Sequence, residues 1–211
     1  FRSEIPTTFG LMTNLIDIFR FAAIGQLLLL LVLFQRDRNN QQNTIPSQLF
    51  GLCIIGYLLA DWSPVKEYPA IFLPLLAFPF LAPATFWLFS KSLFDDNYQW
   101  RRSYGWLFTA LVGIHYFAFI KFQEPNLPSQ ESIQILFEWL LQLVSLTFIV
   151  LGILEAAHNR EADLVQSRLN FRKVFIIITA GLMAITLLSE VSLRGTPPPP
   201  MLNIAQKAFI F

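Results

Sequence analysis

The sequence alternates long apolar blocks with short polar connections. Six blocks are complete and a seventh begins near the last residue; they cover about 15–34, 45–60, 69–88, 104–122, 132–154, 171–193 and 201–211. The hydrocarbon core of a bilayer is about 30 Å thick, so a spanning helix needs roughly 20 mostly apolar residues. Because backbone groups in lipid must bond to each other, such blocks favour helices over strands. The pattern predicts an all-α polytopic membrane helix bundle, with six complete spans and the start of a seventh, forming one transmembrane domain over 1–211.

The third block differs from the others because it contains four prolines. Pro69, Pro74, Pro79 and Pro83 recur at intervals of four or five residues. Each proline lacks the amide hydrogen that a helix interior uses for its hydrogen-bond ladder. We therefore expect kinks in the third span, or a helix that covers only part of it.

Composition supports a membrane protein and argues against several other classes. Hydrophobic residues make up 55% of the chain and charged residues 14%, where a soluble domain carries about 25% charged residues. The net charge of +1 provides no strong field for nucleic acid, and the single cysteine excludes an intrachain disulfide. Phosphate-binding, zinc-protease and serine-hydrolase motifs are missing, and there are only two histidines. The sequence thus predicts no enzyme, no metal site and no cofactor.

Basic residues are distributed unevenly between the connections, which predicts an orientation. The first, third and fifth connections hold nine basic residues, whereas the N-terminal segment and the other connections hold four. Short loops rich in Lys and Arg stay in the cytoplasm. We expect the odd connections to be cytoplasmic, the N-terminus to lie outside, and a completed seventh span to return the chain to the cell interior.

Ionisable groups at membrane depth are costly, so they are the first candidates for a ligand site. We list Asp17, Arg20, His115, Glu138 and Glu190 as candidate ligand-binding residues. Four of these residues and Asp61 fall in the outer halves of their helices, and His115 lies mid-way along the fourth span. The outer residues could surround a polar mouth above an aromatic interior. The alternative roles are structural. Asp17 and Arg20 can pair across one helical turn, Glu138 can reach the interface, and His115 can be a neutral imidazole bonded to a neighbouring helix.

The fifth connection, residues 155–173, contains no Pro or Gly and favours helix. We expect the fifth and sixth helices to extend into the cytoplasm as a short hairpin. Asp163, Arg168 and Arg172 are candidate signal-transmitting residues in this loop. The alternative role for the basic residues is contact with lipid phosphates.

Two segments resemble a bacterial protein family. The stretch FWLFSKSLFDDNYQWRRSYGWL at 86–107 and the stretch EADLVQSRLNFRKVF at 161–175 are similar to the third and fifth connections of membrane-anchored AraC/XylS-type transcription regulators. The resemblance implies a multi-span sensory and anchoring domain in the bacterial inner membrane. It implies a cytoplasmic helix-turn-helix domain beyond residue 211, which this sequence does not include, so DNA would be bound only through that domain.

The residues leave two other functions open. The chain could be a small transporter or channel, for which His115 is the plausible mid-membrane proton group, or a structural subunit of a membrane complex in which its 22 Phe residues serve packing. The expected partners are the lipid bilayer, a small-molecule or protein signal and, by analogy with regulators that bind two half-sites, a second copy of the chain.

Overall fold

A computed structural model describes residues 8–36, 41–95, 98–122, 128–157, 174, 175 and 178. Within these ranges every regular element is an α-helix, which confirms the predicted all-α class. The helices are α1 (Thr8–Arg36), α2 (Gln41–Ala60), α3 (Ser63–Lys66), α4 (Pro69–Leu75), α5 (Ala77–Phe94), α6 (Arg102–Phe122) and α7 (Pro128–Ala157).

The chain divides into two compact units. One comprises residues 1–30 and 163–211, and the other comprises residues 31–162. The described part of the first unit is residues 8–30 of α1 together with residues 174, 175 and 178, and the second unit contains α2 to α7. The prediction of one transmembrane domain over the whole chain stays a prediction.

Three helical segments are long and apolar enough to cross a membrane. They are Leu15–Leu33, Pro69–Phe94 and Trp139–Ala157, which coincide with the first, third and fifth predicted blocks. The second block forms α2, whose apolar stretch Thr44–Ala60 is shorter. The fourth block forms α6, whose ends carry Arg102 and Lys121. The sixth and seventh blocks lie almost entirely outside the described residues.

Helix α5 is the centre of the second unit because it packs against α2, α4, α6 and α7. Phe86 illustrates this packing. Its side chain is 4% exposed, its ring lies 5.7 Å from that of Phe50 on α2, and it contacts the backbone of α7 at Gly152. Phe50 also stacks on Phe89 at 5.2 Å. Aromatic side chains on one helix therefore fill the spaces that small residues leave on its neighbours.

Leu76 separates α4 from α5 within the apolar segment 69–94, but its backbone stays in the right-handed helical region (φ −60°, ψ −22°) and its amide bonds the Phe72 carbonyl at 3.1 Å. Pro79 and Pro83 lack the amide hydrogens that would bond the carbonyls of Leu75 and Pro79 in a continuous helix. Pro79 is the third residue of α5, and a proline is tolerated in a first turn because its hydrogen bond would be missing anyway. Leu76 thus lies between a seven-residue helix and an 18-residue helix, and the expectation of kinks, or of a helix that covers only part of the third span, stays a prediction.

Large apolar side chains cover the outer faces of the helices. Leu29 and Val32 on α1, Trp106 and Ile120 on α6, and Leu136 on α7 are each more than 60% exposed. Contiguous apolar surface of this kind is rare on soluble monomers but is the ordinary outer surface of a helix bundle in lipid. The exposure pattern and the apolar lengths of three helices are therefore compatible with a membrane location.

Two glycines permit the close packing of α5, so they give a stability test. A Cβ atom added at Gly152 would lie 2.5 Å from the Phe86 ring, and one added at Gly56 would lie 2.6 Å from the Phe78 Cβ atom. We predict that Gly56→Ala and Gly152→Ala each lower the free energy of unfolding by about 1–3 kcal/mol, the usual cost of overpacking.

Gly113 provides the matched control, since an added Cβ atom there would meet nothing within 4 Å. Gly113→Ala should be neutral, or stabilising by about 0.5–1 kcal/mol because alanine favours helix. Thermal unfolding of the three variants in detergent checks both statements. Equal stability of all three would contradict the packing described here.

Candidate functional site

The predicted pair on α1 is present. The Arg20 guanidinium forms an ion pair and a hydrogen bond with the Asp17 carboxylate one helical turn earlier. Arg20 is 4% exposed and Asp17 is 34% exposed, so the pair is largely shielded from its surroundings. This confirms that the two residues pair across one helical turn. Their role in ligand binding stays a prediction.

The other acidic candidates are not brought together among the described residues. Asp61 lies in the turn after α2, where its carboxylate is 3.8 Å from the Lys66 Nζ atom. Glu138 lies on α7, and its side chain is outside the described set. Glu190 lies outside the described residues, as do the loop candidates Asp163, Arg168 and Arg172. The polar mouth and the helical hairpin therefore stay predictions.

An aromatic cluster joins the C-terminal half of α5 to α6 and α7, and we call it the aromatic junction. It comprises Trp87, Lys91, Tyr98, Trp100, Tyr104, Phe148 and Glu155. The Trp87 ring lies 5.9 Å from Tyr104 on α6 and 5.8 Å from Phe148 on α7. Tyr104 also contacts Trp100 at 5.8 Å and stacks on Tyr98 at 6.4 Å. Edge-to-face and offset aromatic pairs of this kind add to ordinary apolar packing.

A salt bridge completes the aromatic junction. The Lys91 Nζ atom donates a hydrogen bond to Glu155 Oε1 over 3.2 Å, which links α5 to α7. The same ammonium lies 5.8 Å from the centre of the Trp87 ring, within the range of a cation–π interaction. Both charged side chains are little more than a quarter exposed. The pair can therefore hold α7 against α5 close to where the chain enters the fifth connection.

Tyr98 lies in the α5–α6 connection and has an unusual environment. Its side chain is 5% exposed, and its hydroxyl is buried without a hydrogen-bond partner in the described part of the chain. Burial of the phenol raises the pKa of Tyr98 to about 12, and the neighbouring Tyr104 adds to the shift. The site thus favours a neutral phenol and leaves one polar group unsatisfied.

A second group of contacts surrounds the break between α4 and α5, and we call it the proline break. The Tyr116 hydroxyl on α6 donates a hydrogen bond of 2.7 Å to the carbonyl oxygen of Leu73 on α4. His115, the preceding residue, stacks its ring on Phe80 of α5 with 4.9 Å between centroids. Adjacent residues of α6 therefore contact the chain on both sides of Leu76.

The imidazole of His115 does not make the hydrogen bond to a neighbouring helix that was considered for it, as far as the described residues show. Its Nδ1 and Nε2 atoms are both buried, and neither has a hydrogen-bond partner among the described residues. The ring instead packs on Phe80 and meets Tyr116 edge-on at 6.0 Å. An unsatisfied polar group in an apolar interior is costly, so His115 is a weak point of this arrangement.

The described residues do not gather the groups needed for metal binding. No set of three or more His, Cys, Asp or Glu side chains within the ranges given above is placed to hold a metal ion. The aromatic junction and the proline break both link helices to each other. The links are ring stacking, the Lys91–Glu155 charge pair and the Tyr116 hydrogen bond to the Leu73 carbonyl.

Sequence reasoning missed Tyr116 and most of the aromatic junction. The tyrosine directly follows His115, and a phenol at membrane depth near a proline-rich block could have suggested a carbonyl partner. The Lys91–Glu155 pair spans 64 residues of sequence, so no local pattern indicates it. Tyr98 looked like an ordinary loop residue because its burial depends on the tertiary packing of α6.

No protein-family model, curated protein or solved structure matches this chain.

The salt bridge of the aromatic junction can be tested by a double-mutant cycle. We predict that Lys91→Met and Glu155→Gln each lower the free energy of unfolding, and that their coupling energy is about 1 kcal/mol, the upper end for partly exposed pairs. The charge-reversed double variant Lys91→Glu/Glu155→Lys should recover part of the loss. Additive effects of the two single changes would show that the pair contributes nothing.

Tyr98 gives a pH prediction. The folded state holds the phenolic proton more tightly than the unfolded chain, whose tyrosine pKa is near 10.0. The stability of the fold therefore keeps its full value below pH 10 as far as this group is concerned. It falls as the pH rises from 10 towards 12, because the unfolded chain ionises its tyrosine more readily than the folded state does.

Tyr98→Phe removes the unsatisfied hydroxyl, so we expect it to stabilise the fold by about 1 kcal/mol at neutral pH. It should also weaken the decline in stability above pH 10. Chemical unfolding at several pH values checks this, with the exposed Tyr68→Phe as control. A destabilised Tyr98→Phe would show that the hydroxyl has a partner.

Proposed function

We propose that this chain is the membrane-embedded sensory and anchoring domain of a bacterial transcription regulator of the AraC/XylS type. In this proposal it lies in the inner membrane with its N-terminus outside, six complete spans and the start of a seventh. A membrane or periplasmic signal changes the helix arrangement, and a cytoplasmic helix-turn-helix domain beyond residue 211 responds. The signal is a small molecule or a protein, and the lipid bilayer is the constant partner.

The observation that carries the proposal is the position of α5. One end of this helix begins at the proline break, and the other end carries Lys91, which is paired with Glu155 on α7. The 15 residue steps from Leu76 to Lys91 correspond to about 22 Å along a helix axis, most of the hydrocarbon thickness. In the proposal, α5 and its packing contacts carry a movement at its first turn to the residues that precede the fifth connection.

The sequence resemblance supports the same function. The segment 86–107 supplies the aromatic junction's Trp87, Lys91, Tyr98, Trp100 and Tyr104. Residues that resemble a regulator family thus form the contacts between three helices at the end of α5. With the expected topology, this end faces the cytoplasm, where a DNA-binding domain would have to receive the signal.

The mechanism we propose is a population shift between two helix arrangements. A ligand changes such an equilibrium only as far as its affinities for the two arrangements differ. In one arrangement the Lys91–Glu155 pair holds α7 against α5, and in the other it is released. A second copy of the chain would place two DNA-binding domains on two half-sites.

Labelling of engineered cysteines tests the topology on which the proposal depends. Ser103 is exposed at the start of α6, and Ser63 is exposed at the start of α3. In a Cys53→Ala background, we predict that Ser63→Cys reacts with an impermeant maleimide in cells whose outer membrane is permeabilised. Ser103→Cys should react only after the inner membrane is opened. Labelling of Ser103→Cys from outside would exclude the proposal.

The reading frame downstream of residue 211 provides the complementary observation. The proposal expects about 100 further soluble residues with two helix-turn-helix units. A frame that ends soon after the seventh block would exclude a regulator. It would favour the transporter or the structural subunit instead.

A further inference from the structure

The outer face of α6 carries two exposed arginines followed by a row of small residues, and we call this surface the α6 stripe. Arg101 and Arg102 lie at the start of the helix, and Gly105, Thr109 and Gly113 follow at intervals of four residues. We infer that the α6 stripe binds one anionic phospholipid, whose phosphate pairs with the arginines and whose acyl chain lies along the small residues. The membrane location rests on the proposed function, whereas a role in transcription is not required.

The arginines supply the charge that an anionic headgroup requires. Arg101 and Arg102 are both exposed, and neither forms an ion pair with a described residue. Asp95, the nearest described acidic residue in the sequence, is not paired with either of them. A guanidinium presents planar donors that match a phosphate, and each basic side chain near a membrane surface adds to the attraction of anionic lipid. Two positive charges are therefore available to one headgroup.

The position of α6 beside α5 brings the stripe into contact with lipid in the proposed location. Tyr104, near the start of α6, lies 5.9 Å from Trp87, and His115, further along, lies 4.9 Å from Phe80. The two helices therefore run in opposite directions side by side. Helix α5 belongs to a segment that is long and apolar enough to cross a membrane. The exposed face of α6 then meets the lipid of the same layer.

The α6 stripe has the length of an acyl chain in one leaflet. At 3.6 residues per turn, Arg102, Thr109 and Gly113 lie within about 40° of one another around the helix. The 11 residue steps from Arg102 to Gly113 correspond to about 16 Å along the axis. This is about half of a hydrocarbon core that is roughly 30 Å thick. A lipid whose phosphate meets Arg102 therefore has room for its chain as far as Gly113.

The surface below the arginines is apolar and open. A Cβ atom added at Gly105 or Gly113 would meet nothing within 4 Å. The Thr109 hydroxyl donates a hydrogen bond of 3.0 Å to the Gly105 carbonyl of its own helix, so it needs no partner from outside. Trp106 lies one turn after Arg102 and is 76% exposed, and indole rings favour the headgroup level of a membrane. This order of charge, indole and small apolar surface matches the order of groups in a phospholipid.

A second copy of the chain is the other occupant that small residues at four-residue spacing can accept. Two copies that are related by a two-fold axis along the membrane normal would pack their stripes in parallel. Arg101 and Arg102 of both copies would then meet at the same end, where like charges repel. The phosphate of an anionic lipid is instead attracted to this end. Charge therefore favours the lipid over the second copy.

Fluorescence quenching in lipid vesicles tests the site. A bimane label on Ala110→Cys, an exposed position on α6, reports the neighbouring lipid in a Cys53→Ala background. The vesicles contain phosphatidylglycerol and phosphatidylcholine, and only one of the two lipids is brominated in each experiment. We expect the labelled parent to prefer phosphatidylglycerol. Arg101→Gln and Arg102→Gln should each lower that preference by about fivefold, as the attraction of one basic side chain to anionic lipid implies.

Two matched variants separate binding at the stripe from general charge effects. Lys121→Gln removes an exposed cation at the other end of α6 and should leave the preference unchanged. The double variant Arg101→Lys/Arg102→Lys keeps both charges and should keep most of the preference. A lysine pair that behaves like a glutamine pair would overturn the lipid site. Quenching that weakens as the ratio of protein to lipid rises would place a second copy on the stripe and would also overturn it.

The same experiment distinguishes failure of the lipid site from failure of the proposed function. Equal quenching of the parent by the two brominated lipids overturns the lipid site alone, since the label is then in the bilayer without a preference. No quenching by either lipid contradicts the membrane location, and both proposals then fail.

Discussion

Backbone hydrogen bonding in an apolar environment is the constraint on which the rest of this structure depends. A helix in lipid has no water to satisfy a lost bond, so each proline in the segment 69–94 requires an adjustment nearby. Pro74, Pro79 and Pro83 supply no amide hydrogen for the carbonyls of Ala70, Leu75 and Pro79. The Tyr116 hydroxyl bonds a neighbouring carbonyl, that of Leu73, which also accepts the Leu76 amide, and this bond links α6 to α4.

Side-chain contacts fix the position of α5 against its neighbours. Phe86 is enclosed by Phe50 and Gly152, while Lys91 is paired with Glu155. Packing and one partly buried charge pair thus link α5 to α2 and α7.

Local patterns were enough for the elements of this fold, whereas the sites depend on contacts distant in sequence. The apolar blocks predicted the helical class, and the first, third and fifth blocks match the three segments apolar enough to cross a membrane. The spacing of Asp17 and Arg20 predicted their pairing, because both residues lie on one helical turn. In contrast, the contacts of Tyr116 with Leu73 and of Lys91 with Glu155 depend on how α4, α6 and α7 pack, and no spacing in the chain encodes that arrangement.

His115 shows most clearly where sequence reasoning reached its limit. A histidine in an apolar helix favours an interpretation as a satisfied imidazole, since burial without partners is costly. The described structure instead gives it an aromatic neighbour and leaves both nitrogens unpaired. The contacts that oppose this cost are the stack of His115 on Phe80 and the bond of the adjacent Tyr116 to the Leu73 carbonyl, and both depend on the packing of α6 against α4 and α5 rather than on any local pattern.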